Sequence, residues 1–576
     1  MAAIIPIQHL NGAPLSDEQQ KYLAGFFAGL AARGLRFLDV EPAPRAENQD
    51  SLDDLIFEER VKRELHPLDA YPQLLDNAAQ NKAPDKEDIF RFKWNGLFYL
   101  TPNKEAFMAR LRIPGGVLQT FQLREIARVA RELASGYVQI TTRANLQLRL
   151  IQSRHAPEVL RRIQAVGLHT RGAGADNIRN LTANPTAGID PYELIDVLPF
   201  CHELAQIIIN DRSFYDLPRK FNIAFDGGGL VGTVEDTNDI GVKAARAGEE
   251  VVFRINLGGA TGHKAFGRDL GVVVKPAELN RVIVALVRVF IANGNRSDRK
   301  KARLKHLLDS WPLEKYLAET EKLLGYQLQR ASVSTATPPL SESQGDARVG
   351  RQHSHVGVYP QKQKGLNYIG AVVPVGQMTP KQMLRVAEIA DLYGSGEVRL
   401  TVWQNFILPN IPDPYVETVR KALHKIGFET SESHLRGGLI ACTGNSYCKY
   451  AQTNTKGHAL ALADYLEKKL SLDHPINIHL TGCPHSCAQH YIGDIGLLGA
   501  RTKGEESYHV FVGGGFGEHQ EVGRQVFNGV SVAELPQTIE KILKGYLRRR
   551  APGETFHQFT RRHDLNTLQA IFSNDE

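Results

Sequence analysis

Two stretches of this 576-residue chain repeat each other without a gap. Residues 107–170 begin FMARLRIPGGVLQTFQLREIARVARELASGYVQITTRANLQLRL, and residues 367–430 begin NYIGAVVPVGQMTPKQMLRVAEIADLYGSGEVRLTVWQNFILPN. Pro114 aligns with Pro374, Gln122 with Gln382, Thr141 with Thr401, Asn145 with Asn405 and Gly167 with Gly427, each partner 260 positions after the first (374 − 114 = 260). Chance similarity rarely keeps one register over such a length. Each copy reads as strand, helix, strand, helix. The first strand alternates Met108, Arg110 and Arg112 with Phe107, Ala109 and Leu111, and Leu123, Ile126, Ala127 and Ala130 follow at helical spacing. Two such units predict a pseudo-symmetric pair with a crevice between them that can hold a large cofactor.

The rest of the chain arranges itself around the copies. Residues 331–352, ASVSTATPPLSESQGDARVGRQ, are polar with paired prolines and read as a linker between halves. The expected order is an N-terminal helix and wrapping segment (1–105), repeat 1 (106–170), a first extension (171–330), the linker, repeat 2 (353–430) and a second extension (431–576). Within the first segment, Ser16 and Gln19 suggest a capping box for a helix whose stripe is Leu23, Phe26, Phe27 and Leu30; 44–105 reads as irregular and surface-wrapping. A hydrophobic content of 42% and charged content of 23% are ordinary for globular proteins. No apolar run approaches the ~18 residues of a membrane span, and no secretory signal opens the chain, so a cytoplasmic protein is expected.

Five cysteines in so long a chain do not make a disulfide scaffold. Four crowd together as Cys442-x5-Cys448 and Cys483-x3-Cys487, while Cys201, in CHELAQIIIN, reads as core. Four thiolates suit an iron–sulfur cluster or a structural zinc. The five-residue spacer counts against zinc, which favours tighter knuckles, and buried unliganded cysteines seldom cluster in this way.

The motifs C-T-G-N-x-x-C and T-G-C-P-x-x-C resemble the cluster signature of the sirohaem nitrite and sulfite reductases, and the duplicated unit is similar to that family's internal repeat. The resemblance runs from about residue 90 to the C-terminus. It implies a mixed α+β fold: pseudo-two-fold duplicated ferredoxin-like units plus two sirohaem- and cluster-binding α/β domains. It further implies that Cys442, Cys448, Cys483 and Cys487 hold a [4Fe–4S] cluster, with Cys487 bridging to the sirohaem iron.

Sirohaem carries eight carboxylates and the substrate is an anion, so the site needs Arg and Lys donors. By resemblance, Arg110, Arg179, Lys220 and Asn222 face the substrate. Arg143, Gln147, Arg219, Arg303, Lys305, His485 and Cys487 would hold the macrocycle. In LPRKFNI, alternation sends Lys220 and Asn222 to one face and Phe221 and Ile223 to the other. The basic stretch 296–305 also suits a simply solvated helix.

Lys220-Phe221-Asn222 favours nitrite, since the family's sulfite reductases tend to read Lys-x-Lys there; sulfite reduction on the same scaffold is the alternative. His485 stands where many members carry Asn. GGGLVG at 227–232 satisfies G-x-G-x-x-G, but TVEDTNDIGVK after it opens no helix, so it reads as a glycine loop. Without a flavin or nicotinamide module, the resemblance implies electrons from reduced ferredoxin, an acidic partner that a net charge of +6 would attract. A monomer without nucleic-acid or membrane partners is expected. A precorrin-3B synthase-like oxygenase and a zinc-structured nucleic-acid binder are remoter alternatives.

Overall fold

The two repeats exchange strands. In the computed structural model, repeat 1 has strands Phe107–Arg110, Val117–Gln119, Val138–Ile140 and Leu146–Ile151 with helices Thr120–Leu133 and Ala156–Ala165. Repeat 2 has strands Leu366–Ala371, Gln377–Met378, Glu397–Leu400 and Phe406–Pro412 with helices Pro380–Tyr393 and Val416–His424. Val117–Gln119 does not join its own repeat's sheet: it pairs antiparallel with Glu397–Arg399. In return, Gln377–Met378 pairs with Val138–Gln139. Each repeat's sheet is therefore completed by the other.

The two longer helices start alike for a local reason. Gln122 Oε1 accepts the Gln119 N–H at 3.0 Å and Gln382 Oε1 accepts the Thr379 N–H at 2.9 Å, satisfying an orphan donor at each N-terminus. The same amides donate across to Val166 O and Ile426 O, both at 3.0 Å. Leu123, Ile126, Ala127 and Ala130 are buried as their spacing predicts.

The structure describes residues 9–10, 13–14, 52–100, 105–331, 355–431 and 435–573. Met1–Pro42 form one compact unit, in which His9–Leu10 pairs antiparallel with Ala13–Pro14. Ala43–Glu576 form the other, which holds every element discussed below. The helix expected from Ser16 onward and most of the 331–352 linker lie outside the described residues. Residues 52–96 are not irregular: helices Phe57–Glu64, Tyr71–Ala79 and Lys86–Arg91 bury Val61, Leu74 and Phe90, and the 3-10 helix Phe92–Asn95 buries Trp94. Lys62 donates to Leu217 O at 3.2 Å and Arg296 reaches Glu59 at 3.0 Å, so charged residues that read as surface instead tie this segment to the first extension.

The two extensions share one topology. In the first, Thr182–Ala183, Ile223–Asp226 and Ile240–Ala247 run parallel, then Glu250–Leu257 and Arg268–Val274 follow antiparallel. In the second, Leu439–Ala441, Ile478–Thr481 and Ile495–Thr502 run parallel, then Glu505–Val512 and Arg524–Ser531 follow antiparallel. A two-residue turn joins the central hairpin in each, with Gly248 at φ +64° in one and Lys503 and Gly504 at +52° and +87° in the other. The glycine loop at 227–232 leads through one 3-10 turn, Glu235–Thr237, to the strand at Ile240, not to an α-helix. Cys201 is fully buried in helix Leu198–Asn210. Among the described residues, no helix is long and apolar enough to cross a membrane.

Candidate functional site

A cavity of about 590 Å³ opens where repeat 1, both extensions and Gln404 of repeat 2 meet, within the usual range for ligand sites. Repeat 1 contributes Arg110, Arg143 and Gln147 to its wall, and the first extension contributes Arg179, Arg219, Lys220, Asn222 and Arg303. Cys442, His485 and Cys487 come from the second extension.

Local structure decides how each cation is presented. Arg110 ends its strand, donates to Ala173 O at 3.3 Å and lies 4.6 Å from the Phe98 ring centroid. Arg179 donates to Ala173 O and Ala175 O at 2.9 and 2.7 Å. Arg143 sits in a turn tightened by Ala144 at φ +47°, and donates to Asn180 O and Asn238 Oδ1. Asn180 locks that turn by donating to Ile113 O and Arg143 O at 2.8 and 2.9 Å. Alternation holds at Lys220 and Asn222: both reach the cavity, while Phe221 and Ile223 are fully buried and Phe221 packs on Phe290.

The cations divide into two classes. Arg303 is neutralised by Asp239 at 2.8 and 3.1 Å, and Arg299 by Asp176 at 2.8 and 2.9 Å, with Arg219 3.6 Å from the same carboxylate. Lys305 does not reach the cavity wall; its ammonium is 2.7 Å from Asp309, one helical turn on. Within 296–305, Arg296, Arg299, Arg303 and Lys305 are thus ion-paired, while Lys300 and Lys301 are exposed, Lys300 on the cavity wall. Arg110, Arg143, Arg179 and Lys220 have no carboxylate partner among the described residues. Burial, then Arg303, lowers the Lys220 ammonium to about 7, with Cys487 opposing. Burial lowers Arg143 to about 9 and Arg179 well below its usual value, the latter helped by Arg110. These four half-buried cations, joined on the wall by Lys300 and Lys456, make a strongly positive cavity, and an anion entering it relieves their mutual repulsion.

The cysteine loops lie against this field. Cys487 opens onto the cavity; burial, then Cys442, raises its thiol, with Lys220 and Arg110 opposing. Burial raises Cys483 to about 12, and the other three cysteines add to the rise, so all four thiols are electrostatic neighbours. Among the described residues, no three His, Cys, Asp or Glu side chains are placed to chelate one metal ion. Ser486 and Gln489, at φ +53° and +56°, turn the chain sharply on both sides of Cys487. Thr142 Oγ1 donates to Cys487 O at 3.0 Å, fastening repeat 1 to the loop. His485 lines the cavity with Nδ1 3.4 Å from Cys483 Sγ and its ring against Tyr450; burial, then Lys220, lowers its pKa.

Sequence reasoning missed several residues here. Gln404, at φ +62°, accepts the Ala441 N–H and donates to Ala441 O just before Cys442; its place 260 positions after Ala144 was the available signal. Lys456 donates to Val375 O and, at 3.2 Å, to Ala441 O, and burial lowers its ammonium to about 7. Arg149 is 1% exposed and donates to Gln139, Gln147 and Thr443; burial lowers it to about 10. Neither cation stands in a recognisable motif.

Comparison with known proteins matches both extensions and both repeats. Residues 174–328 and 436–572 match the Nitrite and sulphite reductase 4Fe-4S domain, and residues 99–166 and 359–426 the Nitrite/Sulfite reductase ferredoxin-like half domain. The chain belongs to the nitrite and sulfite reductase family. This reductase is 37% identical over 466 residues to a Synechococcus elongatus protein named ferredoxin–nitrite reductase, covering 79% of the present chain and 88% of that one. A Leptolyngbya laminosa protein of the same name is 36% identical over 499 residues, covering 84% and 96%. The structure of the Mycobacterium tuberculosis NirA protein superposes with a TM-score of 0.81 at 29% identity, covering 89% of this chain and 97% of that one. The reductase is an oxidoreductase with an iron–sulfur domain and the duplicated α+β fold that its sequence suggested.

Proposed function

We propose that the chain reduces nitrite to ammonia with six electrons from reduced ferredoxin; Cys442, Cys448, Cys483 and Cys487 would hold a [4Fe–4S] cluster, and Cys487 would also serve a sirohaem. The observation that carries this reading is the pairing of a thiol loop with carboxylate-free cations, Arg110, Arg143, Arg179 and Lys220 among them, around one cavity. The names of the relatives at 37 and 36% identity point to the same substrate and donor. The donor set suits both groups: four soft thiols for the cube, and Arg and Lys for an anionic macrocycle. When bound, the sirohaem and cluster supply the redox chemistry.

The chain's own residues do the rest. Arg143, Gln147 and Arg219, with Arg303 behind them, would hold the macrocycle's carboxylates. Arg110, Arg179, Lys220 and Asn222 would bind the nitrite oxygens, and their fixed charge favours the anion and the negative charge that accumulates as electrons arrive. Nitrite needs eight protons with its six electrons to give ammonium and two waters. Lys220, lowered to about 7 by burial and Arg303, is suited to donate and recover protons near neutrality.

The test is iron, acid-labile sulfide and haem analysis with a visible spectrum, followed by turnover of nitrite and sulfite with reduced ferredoxin. Nitrite should turn over faster, giving ammonium. A preparation holding only zinc, or one faster on sulfite, defeats the reading.

A further inference from the structure

Two cations near the cysteine loops, the buried Arg149 and the half-buried Lys456, have no anion among the described residues. Arg149 is held by Gln139 Oε1 at 2.7 Å, Gln147 Oε1 at 2.6 Å and Thr443 Oγ1 at 2.8 Å, all neutral. Its guanidinium lies 5.0 Å from the ring centroid of Tyr447, whose hydroxyl is 2.6 Å from that of Tyr137. Thr443 and Tyr447 lie between Cys442 and Cys448, so the arginine is clamped to that loop. Lys456, in the first turn of helix Thr455–Glu467, donates among the described residues to the carbonyls of Val375 and Ala441 alone. Ala441 directly precedes Cys442, and Val375 is in the left-handed region at φ +45°. Neither cation stands in a salt bridge among the described residues.

A buried charge is retained only where an opposite charge faces it. The polar groups around these two orient the cations but do not neutralise them. The negative group nearest to both loops is the one that four thiolates and an iron–sulfur core would form together. We infer that Arg149 and Lys456 are the built-in counter-charges of the cluster and raise its reduction potential. The inference rests on the reading that the four cysteines hold the cluster.

The physical consequence is signed. Reduction adds one electron and no proton to the cluster, so each fixed positive charge nearby favours the reduced form. Removing one must move the midpoint downward. At an effective dielectric near 20, a charge within one or two side-chain lengths changes a one-electron equilibrium by about tenfold, or 59 mV. Both residues are positioning residues: they touch the loop and act through the field.

The experiment is an EPR-monitored redox titration of the holoenzyme and of Arg149→Met, Lys456→Met, Arg149→Lys and Lys456→Arg, with iron and sulfide counted in each. The neutral variants are expected to lower the cluster midpoint about tenfold each in equilibrium constant, while the charge-keeping variants stay near the parent. A parent without cluster iron and sulfide defeats the cysteine reading itself. Full cluster content with an unmoved midpoint in both neutral variants overturns only the present inference, as does a shift confined to the haem midpoint. If a neutral variant does not load a cluster, its charge-keeping counterpart decides. Loading there supports the counter-charge, and failure there shows that the contact is purely geometric and overturns it.

Discussion

Asp239 and Asp494 hold equivalent positions in the two extensions but face different surroundings. Asp239 Oδ2 accepts the Asn222 N–H at 2.8 Å and is paired with Arg303. Asp494 Oδ2 accepts the Asn477 N–H at 3.0 Å and the Asn477 side-chain amide, with no cation against it among the described residues. The duplicated frame kept the carboxyl and its backbone donor in both halves, while only the half bearing Lys220 has the arginine. Burial, with Asn477 opposing, pushes Asp494 up to about 7.

Replacing Asp494 with Asn should therefore stabilise the protein increasingly as pH rises. With its folded pKa above the unfolded value of 3.8, this carboxyl gives its full contribution below that value. The contribution falls as the unfolded chain ionises and is lost once pH passes the folded value near 7. The amide escapes that loss, so Asp494→Asn should gain about 2 kcal/mol or more over the parent near pH 8 and less near pH 5.5. Urea denaturation midpoints at the two pH values check this; a gain that shrinks with pH contradicts it.

Arg303→Met should behave in the opposite way. It leaves the Asp239 carboxylate buried without its cation, and breaking such a pair costs about 3–5 kcal/mol. Asp239→Asn combined with Arg303→Met should recover most of that loss in thermal unfolding. If the double variant is as unstable as the single one, packing and not charge is what Arg303 supplies.

Asn222→Lys adds another carboxylate-free cation to the cavity without disturbing Phe221 or Ile223. The kcat/KM ratio for sulfite over nitrite should rise about tenfold or more, and Lys220→Met should lower nitrite kcat/KM about a hundredfold. Steady-state assays with both anions decide. An unchanged ratio removes Asn222 from the specificity argument.

Strand exchange predicts that neither half folds alone. Residues 1–340 produced by themselves would leave Val117–Gln119 without Glu397–Arg399, and 341–576 alone would leave Gln377–Met378 without Val138–Gln139. Each half alone should aggregate or lack cooperative unfolding, whereas co-expressed halves should copurify as one species. A soluble, cooperatively folding isolated half would be the contrary result.

Much of the site was legible because it is local. The four cysteines come as two short motifs, and Lys220-Phe221-Asn222 sorts its side chains by strand alternation alone. Gln404 could have been found from its register with Ala144. Arg149 and Lys456 could not, because a lone basic residue in a strand or first helical turn reads like any surface cation until its neighbours are known. Lys305 reads like Arg303, yet helix phase turns it to Asp309 and away from the cavity.

The amino-acid order alone determined the repeat register, the helical and strand periodicities within it and the thiol spacing, since all depend on neighbours a few positions apart. Only the folded chain decided that the repeats trade strands, that the extensions are also twins, and that residues 52–96 are helical core. It also decided which cations are neutralised: Arg299 meets Asp176 and Arg303 meets Asp239 across long stretches of chain. Such pairings arise from packing in three dimensions, where a topology can persist after its sequence resemblance has faded and a charge is defined by what is buried beside it.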